Sequence, residues 1–199
     1  MSRKDKLKKE ICEKSLQAFK AGLFAGTSGN MSCYLRDKDI MLITPTSMRY
    51  EIMQPKDIVE MKLDGTVLTE GKPSSEWRLH AEIYKGSEDV NAVFHTHSPH
   101  ATAFAVNRMD IPATLIEAYF FLGGSVPCAE YATPGTPEVG IYAAKVLPGK
   151  GGCLLANHGV VAVGSDLSQA YIRAEYIEDT AKIYIEAKRI GEPVVLEKL

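Results

Sequence analysis

The chain has 199 residues, 45% of them hydrophobic and 24% charged, the balance of a soluble globular protein long enough to bury a core without staples. Lysine and arginine number 23 against 25 aspartates and glutamates, and the formal charge of −2 argues against a protein that coats nucleic acid. No run of about 18 apolar residues is present to cross a bilayer. The lysine-rich start has no apolar segment behind it, so a signal peptide is not expected. Cys12, Cys33, Cys128 and Cys153 form no C-x-x-C pair and are expected as reduced, partly buried thiols in the cytoplasm.

The spacing of Leu7, Ile11, Cys12, Leu16, Phe19 and Leu23 predicts an amphipathic helix over about residues 4–23. Gly22, Gly26 and Gly29 end it and open a loop. Strands are expected at 31–34 and 40–43, joined as a hairpin around Asp37-Lys38. A second hairpin over 58–63 and 66–68 turns at Asp64-Gly65, a pair suited to a two-residue turn. A helix over 74–86 is capped by Ser74 or Ser75. The apolar, β-branched run 90–96 is a strand, and Pro99 opens a helix to about 106. Strands at 153–156 and 160–163 flank Asn157-His158-Gly159. A long helix over 166–190 starts on the capping-box pair Asp166 and Gln169 and stops before Gly191 and Pro193. Hairpins mixed with helices predict a single domain over 1–199, with a largely antiparallel sheet covered by helices.

Four segments carry candidate chemistry. Phe94-His95-Thr96-His97 ends a strand, where residues i and i+2 face one side, so the two imidazoles project together. With His158 as third ligand and a fourth position open, they would form a catalytic zinc site. An H-x-H pair alone also occurs without a metal. His80 and His100 are expected on helix surfaces or as supporting residues behind the ligands. Lys72-Pro-Ser-Ser-Glu76 opens a helix, where free N–H groups and the dipole favour an anion such as phosphate, and where the same residues also serve as plain caps. Gly26-Thr-Ser-Gly-Asn30 can aim backbone N–H groups at phosphate oxygens, although it is neither a Walker loop nor a dinucleotide fingerprint. Thr44-Pro-Thr-Ser47 is a further polar turn.

In this order, Gly-Thr-Ser-Gly-Asn-Met-Ser (26–32), Ile-Thr-Pro-Thr-Ser (43–47), Lys-Pro-Ser-Ser-Glu (72–76), Val-Phe-His-Thr-His (93–97), Pro-Cys-Ala-Glu-Tyr-Ala-Thr-Pro-Gly-Thr (127–136) and Ala-Asn-His-Gly (156–159) resemble the class II aldolase and adducin family over nearly the whole chain. The resemblance implies an α/β/α fold around a mainly antiparallel sheet. It implies one zinc ion per subunit on His95, His97 and His158, with Glu76 as the catalytic acid and base. Thr27, Ser28, Gly29, Asn30, Thr46, Ser47, Ser74 and Ser75 fall on the phosphate-binding positions. The implied reaction is retro-aldol cleavage of a ketose 1-phosphate. L-Fuculose 1-phosphate, giving dihydroxyacetone phosphate and L-lactaldehyde, is the first expectation; the rhamnulose and 5-deoxyribulose phosphates are alternatives. The implied assembly is a homotetramer with sites near subunit contacts, and neither nucleic acid nor membrane is an expected partner.

Three departures bear on the aldehyde half. Ser47 stands where a glycine is usual, Ile116 stands where a tyrosine approaches substrate, and a longer tail that supplies another tyrosine is not matched before Leu199. The family's ribulose-phosphate epimerases carry Asp at the position of Glu76 and an acid at that of Ala118, so they fit less well. A non-catalytic, adducin-like interaction domain has no need of three histidines and a carboxylate together.

Overall fold

A computed structural model describes residues 2–197. Six helices and seven strands follow the order α1 (Arg3–Lys20), β1 (Asn30–Leu35), β2 (Ile40–Ile43), β3 (Val59–Met61), α2 (Trp77–Gly86), β4 (Ala92–Thr96), α3 (Pro99–Asn107), α4 (Ile116–Leu122), β5 (Cys128–Ala129), α5 (Pro137–Val146), β6 (Gly152–Leu155), β7 (Gly159–Gly164) and α6 (Leu167–Ile190). The strands form one sheet in the order β3-β2-β1-β4-β7-β6-β5. Every pairing is antiparallel except the short parallel contact of β5 with β6.

Alternation along the strands sends side chains to two apolar layers. Met31, Cys33, Phe94, Val160 and Ala162 join residues of α1, α3, α4 and α6 on one face. Met41, Ile43, Val93, Val161 and Val163 pack with Leu79, Ile83, Val139 and Ala143 of α2 and α5 on the other. Helices therefore cover both faces of a mostly antiparallel sheet, the arrangement expected from the sequence. Among the described residues no helix is long and apolar enough to cross a membrane. The four cysteines are unpaired, and burial pushes the thiols of Cys12 and Cys33 up to about 12.

Several boundaries move for local reasons. Helix α1 begins one residue earlier than expected, because Ser2 and Asp5 form a reciprocal capping box. It ends at Lys20, yet Leu23 still reaches the core after Gly22 turns the chain through a left-handed conformation. The 66–68 segment makes only an isolated bridge to Met61, and in place of the expected two-residue Asp64-Gly65 turn a three-residue loop, Leu63-Asp64-Gly65, joins Lys62 to Thr66, with Gly65 N–H donating to the Lys62 carbonyl. Asp166 caps α6 through Gln169 N–H at 2.7 Å, while the Gln169 side chain accepts from Ser165 N–H rather than from the capping residue. No local pattern in the sequence predicts helices α4 and α5 or the two-residue strand β5.

Candidate active site

The strand register assembles the site. Asn30 pairs with His95 across β1 and β4, and His95 pairs with Val161 across β4 and β7. His97 follows β4 directly, and His158 sits in the turn between β6 and β7. Asn157 takes a left-handed conformation in that turn, and its side chain is tied to the Val106 carbonyl in the last turn of α3 and to Arg108 Nε just after it. Gly159 lies against β4 so closely that an added Cβ would stand 2.5 Å from the Thr96 carbonyl oxygen and 3.2 Å from the His95 ring. Only glycine allows that approach. Glu76 is the N-cap residue of α2, two residues after Ser74, whose hydroxyl accepts from Glu76 N–H at 3.3 Å.

These elements bring Glu76, His95, His97 and His158 together, with one donor atom from each lying within 4.8 Å of the others. His95 Nε2 is 3.0 Å from Glu76 Oε2, His158 Nε2 is 3.1 Å from Glu76 Oε1, and His95 and His97 Nε2 are 2.9 Å apart. His95 is fully buried, and its Nδ1–H donates to the Val160 carbonyl at 2.9 Å. That bond fixes the tautomer and leaves the Nε2 lone pair facing the cluster. Burial opposes charge on His97 and, with His95 and His158 nearby, lowers its pKa to about 4, so its lone pair is free at neutral pH. Burial also opposes the charged form of Glu76, but without a bound cation the positive charge and N–H groups of protonated His95 and His158 outweigh it and hold the carboxyl well below the ordinary range, and Glu76 in turn raises the His95 pKa.

Imidazole nitrogens converging lone pair to lone pair call for a cation between them. In a tetrahedral zinc shell, ligand atoms stand about 3.3 Å apart, a spacing that falls within the range seen here. The donor set therefore fits a metal ion.

Thr27, Ser28, Gly29, Asn30, Thr46, Ser47, Ser74 and Ser75 line one cleft of about 160 Å³ together with Glu76, His97 and His158. Larger depressions of about 720 and 710 Å³ lie elsewhere and contain none of these residues. The cleft has no lysine or arginine in its lining, so an anion there would rest on hydroxyls, backbone N–H groups and the start of α2. Its members are not alike. Ser28 turns its hydroxyl back onto the Ala25 carbonyl at 2.5 Å. Asn30 is buried, donating from Nδ2 to Glu76 Oε2 at 3.0 Å and accepting at Oδ1 from His80, which leaves one Nδ2 hydrogen free. Ser47 has φ of +56°, a left-handed conformation that glycine adopts at lower cost.

His80 is not on a helix surface. It is fully buried beneath Asn30. His100 stands apart, bonded through Nδ1 to Glu178 at 2.7 Å, and Glu178 also caps the start of α3. Ile116, Glu117, Ala118 and Tyr119 belong to α4 and line no part of the cleft. Tyr50 was not singled out in the sequence. It holds the 26–29 loop by sharing its O–H between the Ser28 and Gly29 carbonyls at 2.9 and 2.8 Å.

Residues 9–185 match the family model described as Class II Aldolase and Adducin N-terminal domain. The chain belongs to this family. A 5-deoxy-D-ribulose 1-phosphate aldolase of Bacillus thuringiensis serovar kurstaki is 38% identical over 194 residues, covering 96% of this chain and 90% of that protein. An L-fuculose phosphate aldolase of Escherichia coli strain K12 is also 38% identical, covering 96% and 88%. A solved structure of an L-fuculose 1-phosphate aldolase superposes with a TM-score of 0.93 at 38% identity, covering 100% of this chain and 92% of that one. The protein is thus a class II aldolase, a metal-dependent aldehyde-lyase related to the fuculose-phosphate enzymes.

Proposed function

We propose that the protein cleaves a ketose 1-phosphate into dihydroxyacetone phosphate and an aldehyde, with zinc held by His95, His97 and His158 and with Glu76 as acid and base. The observation that carries this reading is the meeting of Glu76 and three imidazoles at the edge of a small hydroxyl-lined cleft.

Zinc bound there supplies Lewis-acid polarisation of the substrate's carbonyl and adjacent hydroxyl. The protein's own residues do the rest. Thr27, Ser28, Gly29, Asn30, Thr46, Ser47, Ser74 and Ser75 hold the phosphate and set the distance from it to the reacting carbons. Cleavage removes the proton of the C4 hydroxyl, breaks the bond between C3 and C4 and leaves its electron pair on the three-carbon fragment, C4 becoming the aldehyde carbonyl. Glu76, starting as the carboxylate, takes up the hydroxyl proton and in its acid form delivers it to C3; in the reverse direction its carboxylate removes that proton from C3 and returns it to the new C4 hydroxyl. Lysine is absent from the lining, consistent with a route that needs no Schiff base.

L-Fuculose 1-phosphate is the proposed substrate, yielding L-lactaldehyde. A second reading, 5-deoxyribulose 1-phosphate, is supported by the Bacillus relative and by Ile116 in place of tyrosine. The two substrates differ only in the aldehyde released, and α4 reaches no part of the cleft within one chain. A homotetramer active in the cytoplasm completes the proposal. Ile116 and Phe120, exposed on α4 at 54% and 75%, supply apolar surface for such an assembly.

The test is dihydroxyacetone phosphate release from fuculose, rhamnulose, ribulose and 5-deoxyribulose 1-phosphates by zinc-loaded protein, with ribulose 5-phosphate assayed separately for epimerisation. Release from one of the ketose 1-phosphates, abolished by a chelator, is expected. Epimerisation without release would contradict the reading.

A further inference from the structure

Helix α2 and strand β1 meet along a polar seam within an otherwise apolar layer. Glu76, His80 and Tyr84 recur every four residues and so share one face of the helix. Asn30 and Ser32 alternate with Met31 and Cys33 and so face that helix from the strand. Asn30, Ser32, His80 and Tyr84 are all buried. Asn30 Nδ2 is 3.0 Å from Glu76 Oε2, Asn30 Oδ1 meets His80 Nε2, His80 Nδ1 is 2.6 Å from Ser32 Oγ, and Ser32 Oγ is 2.7 Å from Tyr84 Oη.

The chemistry of these groups permits one direction for every hydrogen. An ionised carboxylate only accepts, so Asn30 presents Nδ2 to Glu76 and Oδ1 to His80. His80 must then donate from Nε2, which in a neutral ring makes Nδ1 the acceptor. Ser32 donates to Nδ1, and its oxygen accepts from Tyr84. Burial disfavours the imidazolium and lowers the His80 pKa to about 3, so the ring is neutral across the working range.

We propose that His80 is a positioning residue for Glu76: locked by Ser32 and Tyr84 as the Nε2–H tautomer, it holds the Asn30 amide in the one orientation that donates to the carboxylate. Were the tautomer released, the amide could turn its carbonyl toward Glu76, and the carboxylate would lose its fixed donor. This inference rests on the reading of Glu76 as acid and base. It adds three residues to the site, none of which lines the cleft.

Two measurements test it. In zinc-loaded, 15N-labelled protein, long-range proton–nitrogen correlations of His80, assigned by comparison with His80→Gln, should show Nε2 protonated and Nδ1 bare at neutral pH. The opposite tautomer overturns the proposal. In steady state, His80→Phe should lower kcat by about 10- to 100-fold, with KM and bound zinc unchanged. His80→Gln, which returns an N–H near Nε2, should recover most of the loss. Ser32→Ala should cost about 5-fold in kcat, the equivalent of one hydrogen bond, and it decides the matter if His80→Phe does not fold. Unaltered kcat in these variants, or KM, zinc and melting temperature falling together with kcat, overturns the proposal. Full turnover in Glu76→Gln would strike the acid–base reading instead, and the tautomer signal would then decide the hydrogen-bond chain by itself.

Discussion

At Ser47 and Ser75 the proposed phosphate grip separates into side-chain and backbone parts. Ser47 sits at φ of +56°, where a residue with a Cβ pays about 1–2 kcal/mol. Glycine relieves that strain but adds about 0.5–1 kcal/mol of chain entropy. Ser47→Gly should therefore leave stability unchanged or raise it by up to about 1.5 kcal/mol in denaturant melts. KM should stay close to wild type if the backbone N–H is the phosphate ligand, and a large rise would assign the contact to the hydroxyl. Ser75 is exposed at the cleft mouth just before α2, with no constraint of that kind. Ser75→Ala should raise KM for the phosphorylated substrate several-fold with kcat nearly intact, because such contacts serve ground and transition state alike. An unchanged KM would make Ser75 a helix-start residue only.

Helix α2 carries Glu76 at its N-cap and is held against α5 at a close crossing. A Cβ added at Gly140 of α5 would lie 2.6 Å from Glu82 Cβ and 2.8 Å from the Leu79 carbonyl oxygen. Gly140→Ala should cost about 1–3 kcal/mol by overpacking, read as a lower melting temperature. It should also reduce kcat, since displacing α2 moves Glu76. A variant as stable as wild type would show that the two helices separate freely. Elements with strong periodicity were legible in the sequence. Helices α1 and α6, the β1–β2 hairpin, β4 and β7 all lie near their expected places, because their apolar spacing or turn pairs are local signals. Helix α5 was not legible: Gly140 sits inside it, and only the α2 contact explains that glycine. Helix α4 is seven residues long and starts at Leu115 without a side-chain cap. In the site, the histidine pair is marked by its strand spacing, whereas Glu76 is marked only by the family resemblance. The inward turn of Asn30 and the burial of His80 are marked by neither, because they follow from the pairing of Asn30 with His95, a register that no local pattern encodes.

At the scale of the whole molecule, α4 is the element most poorly accounted for by one chain. Phe120 is 75% exposed on it, and the nearby tail is tied to the helix by a hydrogen bond from Tyr119 Oη to the Leu196 carbonyl. If four copies assemble with these faces buried, Phe120→Glu should shift the mass in solution toward smaller species, measured by light scattering, while the Glu76–His95–His97–His158 cluster of each chain remains intact. An unchanged mass would place the contacts elsewhere.

The central claim is that Glu76 moves the proton at the carbon next to the carbonyl, and this can be tested without knowing the aldehyde. Zinc-loaded protein incubated with dihydroxyacetone phosphate in deuterium oxide, followed by proton NMR, isolates that step. The account predicts exchange of one hydrogen at the hydroxymethyl carbon by the wild-type protein, loss of exchange on chelation, and a fall of at least about 100-fold in Glu76→Gln with zinc still bound. Exchange at the wild-type rate in zinc-replete Glu76→Gln would contradict it.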